Sequence, residues 1–134
     1  MEYSIKDHRD RYIGSLFRTS EPVTMIPDRH MRRPEIVEKI RKAMSVVAPT
    51  AKTILYGSEA RGDARPDSDI DLLVLVNQPK LSISEEERII SPLCDIEIET
   101  GVLINARVMP RAAWENRPFT TPFYLNVTSE GVVL

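Results

Sequence analysis

Two aspartates stand at the front of one of the most apolar runs of the chain, DIDLLVLV, where one residue separates Asp69 from Asp71. Because side chains alternate across a strand, both carboxylates should project from one face, about 7 Å apart at their Cα atoms. Two such groups repel each other unless a cation lies between them. Mg²⁺ binds one or two carboxylates together with substrate phosphates, and paired ions promote phosphoryl transfer. The D-x-D pattern therefore predicts a magnesium site at the beginning of a strand.

Ten residues separate a glycine–serine pair, Gly57-Ser58, from the first aspartate. Glycine at the end of a strand lets the backbone approach a phosphate closely, and the serine adds a hydroxyl at the start of a helical turn. Arg61 follows three residues later and could hold a phosphate oxygen through a bidentate contact. Each half of the pattern is common in ordinary turns. The combination of strand, G-S, ten residues and D-x-D is much more selective, and it favours a site where a metal ion and a phosphate bind together.

The elements that must position these residues follow from hydrophobic spacing. Apolar residues recur at three and four positions over 34–48, with proline at the first turn, which predicts a helix. Residues 53–57, TILYG, form a short β-rich run that glycine ends, and we expect a buried strand there. Residues 59–68 are polar and contain Gly62 and Pro66, so we expect a turn there that could include one helical turn. Residues 69–76 are continuously apolar after the aspartates, which is typical of a central strand.

The stretch 82–101 is ambiguous. Ser84 and Glu87 have the spacing of a capping box, and the apolar residues that follow have helical spacing. Pro92 should kink or split such a helix. Residues 94–99, CDIEIE, alternate instead as a strand would. We favour the helix.

The rest of the chain alternates between the two types of element. Residues 102–109, VLINARVM, predict a third strand, and Trp114 in 112–116 is expected to cover the core. A last helix should start near Thr121 with Pro122 in its first turn. Strands alternating with helices predict a small α/β (α+β) domain, a mixed sheet flanked by helices.

Residues 57–71, GSEARGDARPDSDID, resemble the signature of the minimal nucleotidyltransferases of the DNA polymerase beta superfamily, in which ten residues separate G-S from D-x-D. The flanking sequence is similar as well, with a leading helix, an apolar strand and the ending F-Y-x-N-V-x-x-E-G-V-x-L at 123–134. The resemblance covers roughly 34–134 and implies the polymerase beta-like fold.

The resemblance also implies an activity, which is Mg²⁺-dependent transfer of a nucleoside monophosphate, most simply AMP from ATP, to a hydroxyl. In that family the residues matching Gly57 and Ser58 meet the triphosphate, and those matching Asp69 and Asp71 hold a pair of magnesium ions. Small members are similar to MntA-type antitoxins, which adenylylate a helical HEPN toxin. A HEPN-type protein is therefore an expected partner, beside the nucleoside triphosphate.

One departure from the family pattern concerns the third carboxylate, which usually lies on the next strand. The run VLINARVM has none, and its nearest candidate is Asn105, whose amide cannot take a proton. Asp95, Glu97 or Glu99 could replace it if 94–99 is a strand beside the aspartates, although a solvated face is the simpler interpretation. The alternative function is a catalytically degenerate module that binds a nucleotide or a partner.

Residues 1–33 differ from the rest, with a local charge of +2 against −4 over 34–134. We expect a poorly ordered or partner-docking extension there and a nucleotidyltransferase domain over 34–134. Arg29, Arg32 and Arg33 form either a solvated arm, which we favour, or a basic handle for phosphate.

The charge and the apolar content bound the partners and the compartment. The net charge of −2 argues against nucleic acid and anionic membranes as partners. The sequence shows no apolar run of about 18 residues and no signal-peptide pattern, which favours a cytoplasmic protein. Cys94, the single cysteine, is expected to face the core.

Overall fold

The computed structural model describes residues 6–7 and 32–134. Most of the expected N-terminal extension, 1–33, falls outside these residues, so the division of the chain at that point stays a prediction. The helices are α1 (Pro34–Val47), α2 (Gly57–Arg61), α3 (Ile83–Thr100), α4 (Arg111–Glu115) and α5 (Pro122–Glu130). The strands are β1 (Lys6–Asp7), β2 (Lys52–Tyr56), β3 (Ile70–Val76), β4 (Ile104–Pro110) and β5 (Val132–Val133).

The strands form one mixed sheet in the order β1-β5-β2-β3-β4. Strand β2 runs antiparallel to β3 and to β5, whereas β3 runs parallel to β4 and β1 parallel to β5. Residues 72–76 of β3 are all buried, as its unbroken apolar sequence predicts for a central strand. The mixed sheet flanked by helices confirms the predicted α/β class.

Two apolar clusters cover opposite faces of the sheet. On one face, α1 and α3 pack over alternate residues of β3, beginning with Ile70, which is fully buried. On the other face, α4 and α5 bring Trp114 and Val127 against Leu73 and Leu75. Trp114 therefore covers the core, as predicted. Side chains alternate between the two faces of a sheet along a strand. Since Asp71 follows Ile70, its side chain therefore projects from the face that α4 and α5 cover.

Helices α1 and α5 form where the sequence predicts them. The apolar stripe of α1 is buried at Ile36, Val37, Ile40 and Met44, and proline opens the helix. Helix α5 also opens with a proline, and the Thr121 hydroxyl accepts a hydrogen bond from the N–H of Tyr124. Strand β4 starts at Ile104, two residues later than predicted.

The ambiguous stretch 82–101 contains helix α3, which continues through Pro92. Its capping box is formed by Ser82 and Glu85, so the prediction of Ser84 and Glu87 is wrong. The sequence contains S-x-x-E in two frames, and the earlier start adds two residues to the helix. Cys94 is exposed, which corrects the expectation of a core-facing thiol. In the described part of the chain, no helix combines the length and apolarity needed to cross a membrane.

Candidate active site

The two halves of the G-S and D-x-D pattern meet where β2 ends. Tyr56, the last residue of β2, is paired with Asp71 on β3, and the chain then turns into α2 at Gly57. Gly57 adopts a φ of +78°, which side chains with a Cβ rarely adopt. A Cβ at this position would lie 3.2 Å from Asp71 Cγ and closer still to Oδ2. Glycine is therefore required both by the backbone angle and by the space that the Asp71 carboxylate occupies.

The two aspartates differ in burial but interact electrostatically. Asp71 is partly buried on β3, whereas Asp69 is exposed and lies one residue before the strand begins. Burial raises the pKa of the Asp71 carboxyl, and the negative charges of Asp69 and Glu130 raise it further. A hydrogen bond from Asn105 and the charge of Arg61 act in the opposite direction. Negative charge is therefore concentrated where β2 ends and β3 begins, and a bound cation would stabilise this charge.

Asn105 occupies the β4 position directly beside Asp71. The two residues are paired in the parallel ladder, and the Asn105 side-chain amide donates to Asp71 Oδ1 over 3.2 Å. The described residues of β4 include no carboxylate. An amide at this position can orient the aspartate, but it cannot act as a base.

The acidic residues proposed as substitutes for the third carboxylate lie elsewhere. Asp95, Glu97 and Glu99 are on α3, which packs against the sheet face opposite to Asp71. Glu97 accepts a hydrogen bond from the Ile104 N–H at 2.7 Å, and Glu99 pairs with Lys39 at 3.1 Å. The hypothesis that 94–99 is a strand beside the aspartates is therefore wrong. The buried apolar residues of α3 have helical spacing and lie on one side of the helix, which packs against the core.

Ser58 and Arg61 both lie on the short helix α2, beyond Gly57. Ser58 is partly buried in the first turn. The Arg61 guanidinium donates to Asp63 Oδ2 at 3.2 Å and to Glu130 Oε1 at 3.1 Å. These two partners raise the pKa of Arg61 further above its ordinary value. The Arg61 guanidinium therefore already binds carboxylate oxygens close to Gly57.

Glu130, at the end of α5, is a site residue that the sequence did not single out. Its Oε2 accepts a hydrogen bond of 2.8 Å from the Gly57 N–H, and both of its oxygens accept from Arg61. Its charge also raises the pKa of Asp71. The ending E-G-V-x-L belongs to the family resemblance, but nothing local in it indicates that this carboxylate reaches the glycine–serine turn.

Aromatic rings and an arginine lie beside Asp71 on the same sheet face. The rings of Tyr56 and Phe123 meet edge to face, 5.5 Å apart at their centroids, and the Arg107 guanidinium lies 4.4 Å from the Phe123 centroid. Burial raises the pKa of Tyr56, and the charges of Asp71 and Glu130 act in the same direction, whereas Arg107 lowers it. The site therefore combines carboxylates with a surface on which a planar group can stack.

The side chains available as metal ligands determine which ion could bind beside Asp69 and Asp71. Across residues 32–134, no three His, Cys, Asp or Glu side chains converge as a metal-binding group. Asp69 and Asp71 supply hard oxygen ligands from two residues, and Mg²⁺ commonly takes one or two carboxylates while phosphates and waters fill the other positions. The pair fits a magnesium site that a bound triphosphate would complete.

Comparison with known proteins places the chain in a family. Residues 37–118 match the model of the Nucleotidyltransferase domain, and the chain belongs to this family. The matched region contains the G-S and D-x-D residues as well as Asn105, but not Glu130.

Two similar proteins come from Methanocaldococcus jannaschii, and both carry the name "Putative protein adenylyltransferase". One is 35% identical over 83 residues, which is 62% of this chain and 76% of the relative. The other is 32% identical over 73 residues, which is 53% of this chain and 73% of the relative.

Proposed function

We propose that the chain is a Mg²⁺-dependent nucleotidyltransferase that transfers AMP from ATP to a hydroxyl group on a partner protein. The observation that carries the proposal is the close approach of Asp71 to Gly57, which joins the D-x-D strand to the G-S turn in one place. Membership of the family supports the reaction type. The names of the two relatives support adenylyl transfer and a protein acceptor.

Each site residue has a role in this proposal. Asp69 and Asp71 hold magnesium, in one or two ions, and the metal supplies charge neutralisation for the triphosphate. The Gly57 N–H, the Ser58 hydroxyl and the Arg61 guanidinium contact phosphate oxygens. Two of these donors already bind an anion in the structure, namely the Glu130 carboxylate. A phosphate group can take the same hydrogen bonds.

The reaction is a single displacement at the α-phosphorus. The acceptor oxygen forms a bond to that phosphorus, the bond to the β-phosphate oxygen breaks, and pyrophosphate leaves. Asn105 cannot accept the hydroxyl proton, so we infer that the proton passes to solvent or to a base on the acceptor. The residues of this chain act by placing the triphosphate and stabilising its charge, which is the main source of rate in phosphoryl transfer.

The partner that we propose is a helical protein of the HEPN type, by resemblance to the MntA-type antitoxins. Beyond the sheet domain, residues 32–134 form no separate unit that could bind an acceptor. A protein partner would itself provide the surface that presents the hydroxyl.

The second candidate function is a catalytically degenerate module that binds the nucleotide or the partner without turnover. Asn105 favours it, because an amide lies beside Asp71 where a carboxylate of the family is expected. The two functions differ in one outcome, since a degenerate module binds Mg²⁺–ATP and transfers nothing.

The test is to co-express the chain with the product of the neighbouring gene, add ATP and Mg²⁺, and measure the intact mass of both proteins. We expect the partner to gain the mass of one adenylyl group with wild-type protein and with Asp67→Asn, an exposed aspartate of the same loop. Asp69→Asn and Asp71→Asn should abolish the gain. Transfer that survives both substitutions contradicts the assignment of the activity to Asp69 and Asp71, and Mg²⁺–ATP binding without any transfer supports the degenerate module.

A further inference from the structure

A buried ion pair connects the beginning of α1 to the glycine–serine turn. Glu59 is completely buried on α2, and its Oε1 accepts a 2.8 Å hydrogen bond from Arg33 Nε. Its Oε2 accepts a second bond of 2.8 Å, from the Arg33 backbone N–H. Arg33 itself is 9% exposed. The arginine is therefore neither a solvated arm nor a handle that can turn towards a phosphate.

The same guanidinium also binds the loop that leads to the aspartates. Arg33 Nη1 donates to the Ser68 carbonyl at 2.7 Å and more weakly to the Pro66 carbonyl at 3.4 Å. Glu59 directly follows Ser58, and Ser68 directly precedes Asp69. One side chain thus connects the residue after G-S with the residue before D-x-D.

Asp69 depends on such a contact because the sheet does not hold it directly. The strand begins at Ile70, whose N–H donates to the Leu103 carbonyl at 2.9 Å, and Asp69 itself is exposed. On its N-terminal side, the turn closes through Ser68 N–H to the Arg65 carbonyl, but both of these residues belong to the loop. Ala64, earlier in the loop, is buried, and the bond from Arg33 to Ser68 ties the residue next to Asp69 to the core.

We propose that Arg33 is a positioning residue, which fixes Asp69 relative to Ser58 through its simultaneous contacts with Glu59 and Ser68. The proposal rests on the proposed function for its consequence, since the fixed separation serves metal and triphosphate binding. The planar guanidinium suits this task because it donates in several fixed directions, whereas a lysine ammonium is a single point charge. A buried ion pair is by itself weak evidence for a stabilising role, which makes positioning the more informative hypothesis.

The decisive variant replaces both charges, Arg33→Met with Glu59→Leu. Replacing both members of a buried pair by apolar residues commonly preserves stability, whereas removing one leaves an uncompensated charge. Because Glu59→Leu also removes the acceptor of the Arg33 backbone N–H, urea unfolding of the double variant is measured beside each readout, and Arg33→Lys, which keeps that acceptor, decides where the double variant is destabilised. Lys39→Met with Glu99→Leu is the matched control, because it removes an exposed ion pair of α1 and α3. Arg33→Lys is the second variant, since it keeps a charge beside Glu59 but not the fork that reaches Ser68.

The first readout is amide hydrogen exchange of the ligand-free protein, which needs no activity. We expect the amides of 67–70 to exchange roughly tenfold faster or more in the double variant and in Arg33→Lys, with β3 beyond residue 72 unchanged. The control pair should exchange as wild type does. Wild-type exchange at 67–70 in both Arg33 variants would overturn the proposal, whether or not the protein is an enzyme.

The second readout is the Mg²⁺ concentration that half-saturates ATP binding, together with kcat for AMP transfer. We expect the half-saturating concentration to rise about tenfold and kcat to fall by roughly ten- to a hundredfold, because small displacements of catalytic groups have effects of that size. Unchanged values in a folded double variant would also overturn the positioning role. Wild-type protein that binds no Mg²⁺–ATP would instead contradict the proposed function, and the exchange readout would then decide the role of Arg33 alone.

Discussion

Gly57→Ala is the substitution that best isolates the close approach of the two motif halves. The φ of +78° costs a residue with a Cβ about 1–2 kcal/mol. The new methyl group would also lie 3.2 Å from Asp71 Cγ and closer to Oδ2, so the carboxylate must move. Displacing it strains or breaks the bond from Asn105, which adds about 1 kcal/mol. We expect a total loss of about 2–3 kcal/mol in the free energy of unfolding.

Gly101→Ala is a matched control for the backbone angle. Gly101 ends α3 with a φ of +77°, and a Cβ there would meet no atom within 4 Å. Its alanine variant should therefore lose only the conformational contribution, about 1–2 kcal/mol. The difference between the two variants measures the contact with Asp71.

Urea unfolding followed by the fluorescence of Trp114 measures both variants, since this is the single tryptophan and it is buried. Adding Asp71→Ala to Gly57→Ala should recover part of the loss, with a coupling of about 1 kcal/mol between the two sites. Adding it to Gly101→Ala should show no coupling. Equal losses for the two glycines, zero coupling at Gly57, and full nucleotide binding by Gly57→Ala would together refute the proposed geometry.

Three further substitutions test other parts of the structure. Leu73→Ala removes a fully buried side chain and should cost about 2–5 kcal/mol in urea unfolding, and a loss below 1 kcal/mol would contradict the packing of the α4–α5 face. Pro92→Ala should raise the free energy of unfolding by up to about 3 kcal/mol, because proline inside α3 removes a helical hydrogen bond, and a lower melting temperature would show that the proline is needed. Glu130→Gln should tighten Mg²⁺–ATP binding by roughly three- to tenfold in calorimetry, because an anion that competes for Gly57 and Arg61 loses its charge. Weaker binding by this variant would indicate that Glu130 holds those donors in place instead.

The sequence predicted the parts of the site that local spacing controls. The glycine before a helical turn reflects backbone geometry over a few residues. The placement of both aspartates on one strand face stays a prediction, because Asp69 lies one residue before β3 begins. The helix over 34–47 and the helical outcome for α3 follow from apolar periodicity in the same way.

The rest of the site depends on contacts between distant parts of the chain. Glu130 reaches Gly57 across 73 residues, and Arg33 reaches Glu59 across 26. Neither side chain belongs to a periodic pattern, and a charged residue in a polar segment usually indicates solvent exposure. Their roles become visible only when the packing of α1, α2 and α5 around the end of β2 is known.

Calorimetric titration of ATP, with and without Mg²⁺, into wild-type protein and three aspartate variants tests the metal–nucleotide site most directly. We predict Mg²⁺-dependent binding by wild type and Asp67→Asn, and its loss in Asp69→Asn and Asp71→Asn. The melting temperatures of the last two should be maintained or raised, since removing one charge relieves the repulsion between the carboxylates. Binding that is unaffected by both substitutions, or melting temperatures that fall by many degrees, would contradict a metal–nucleotide site built on this pair.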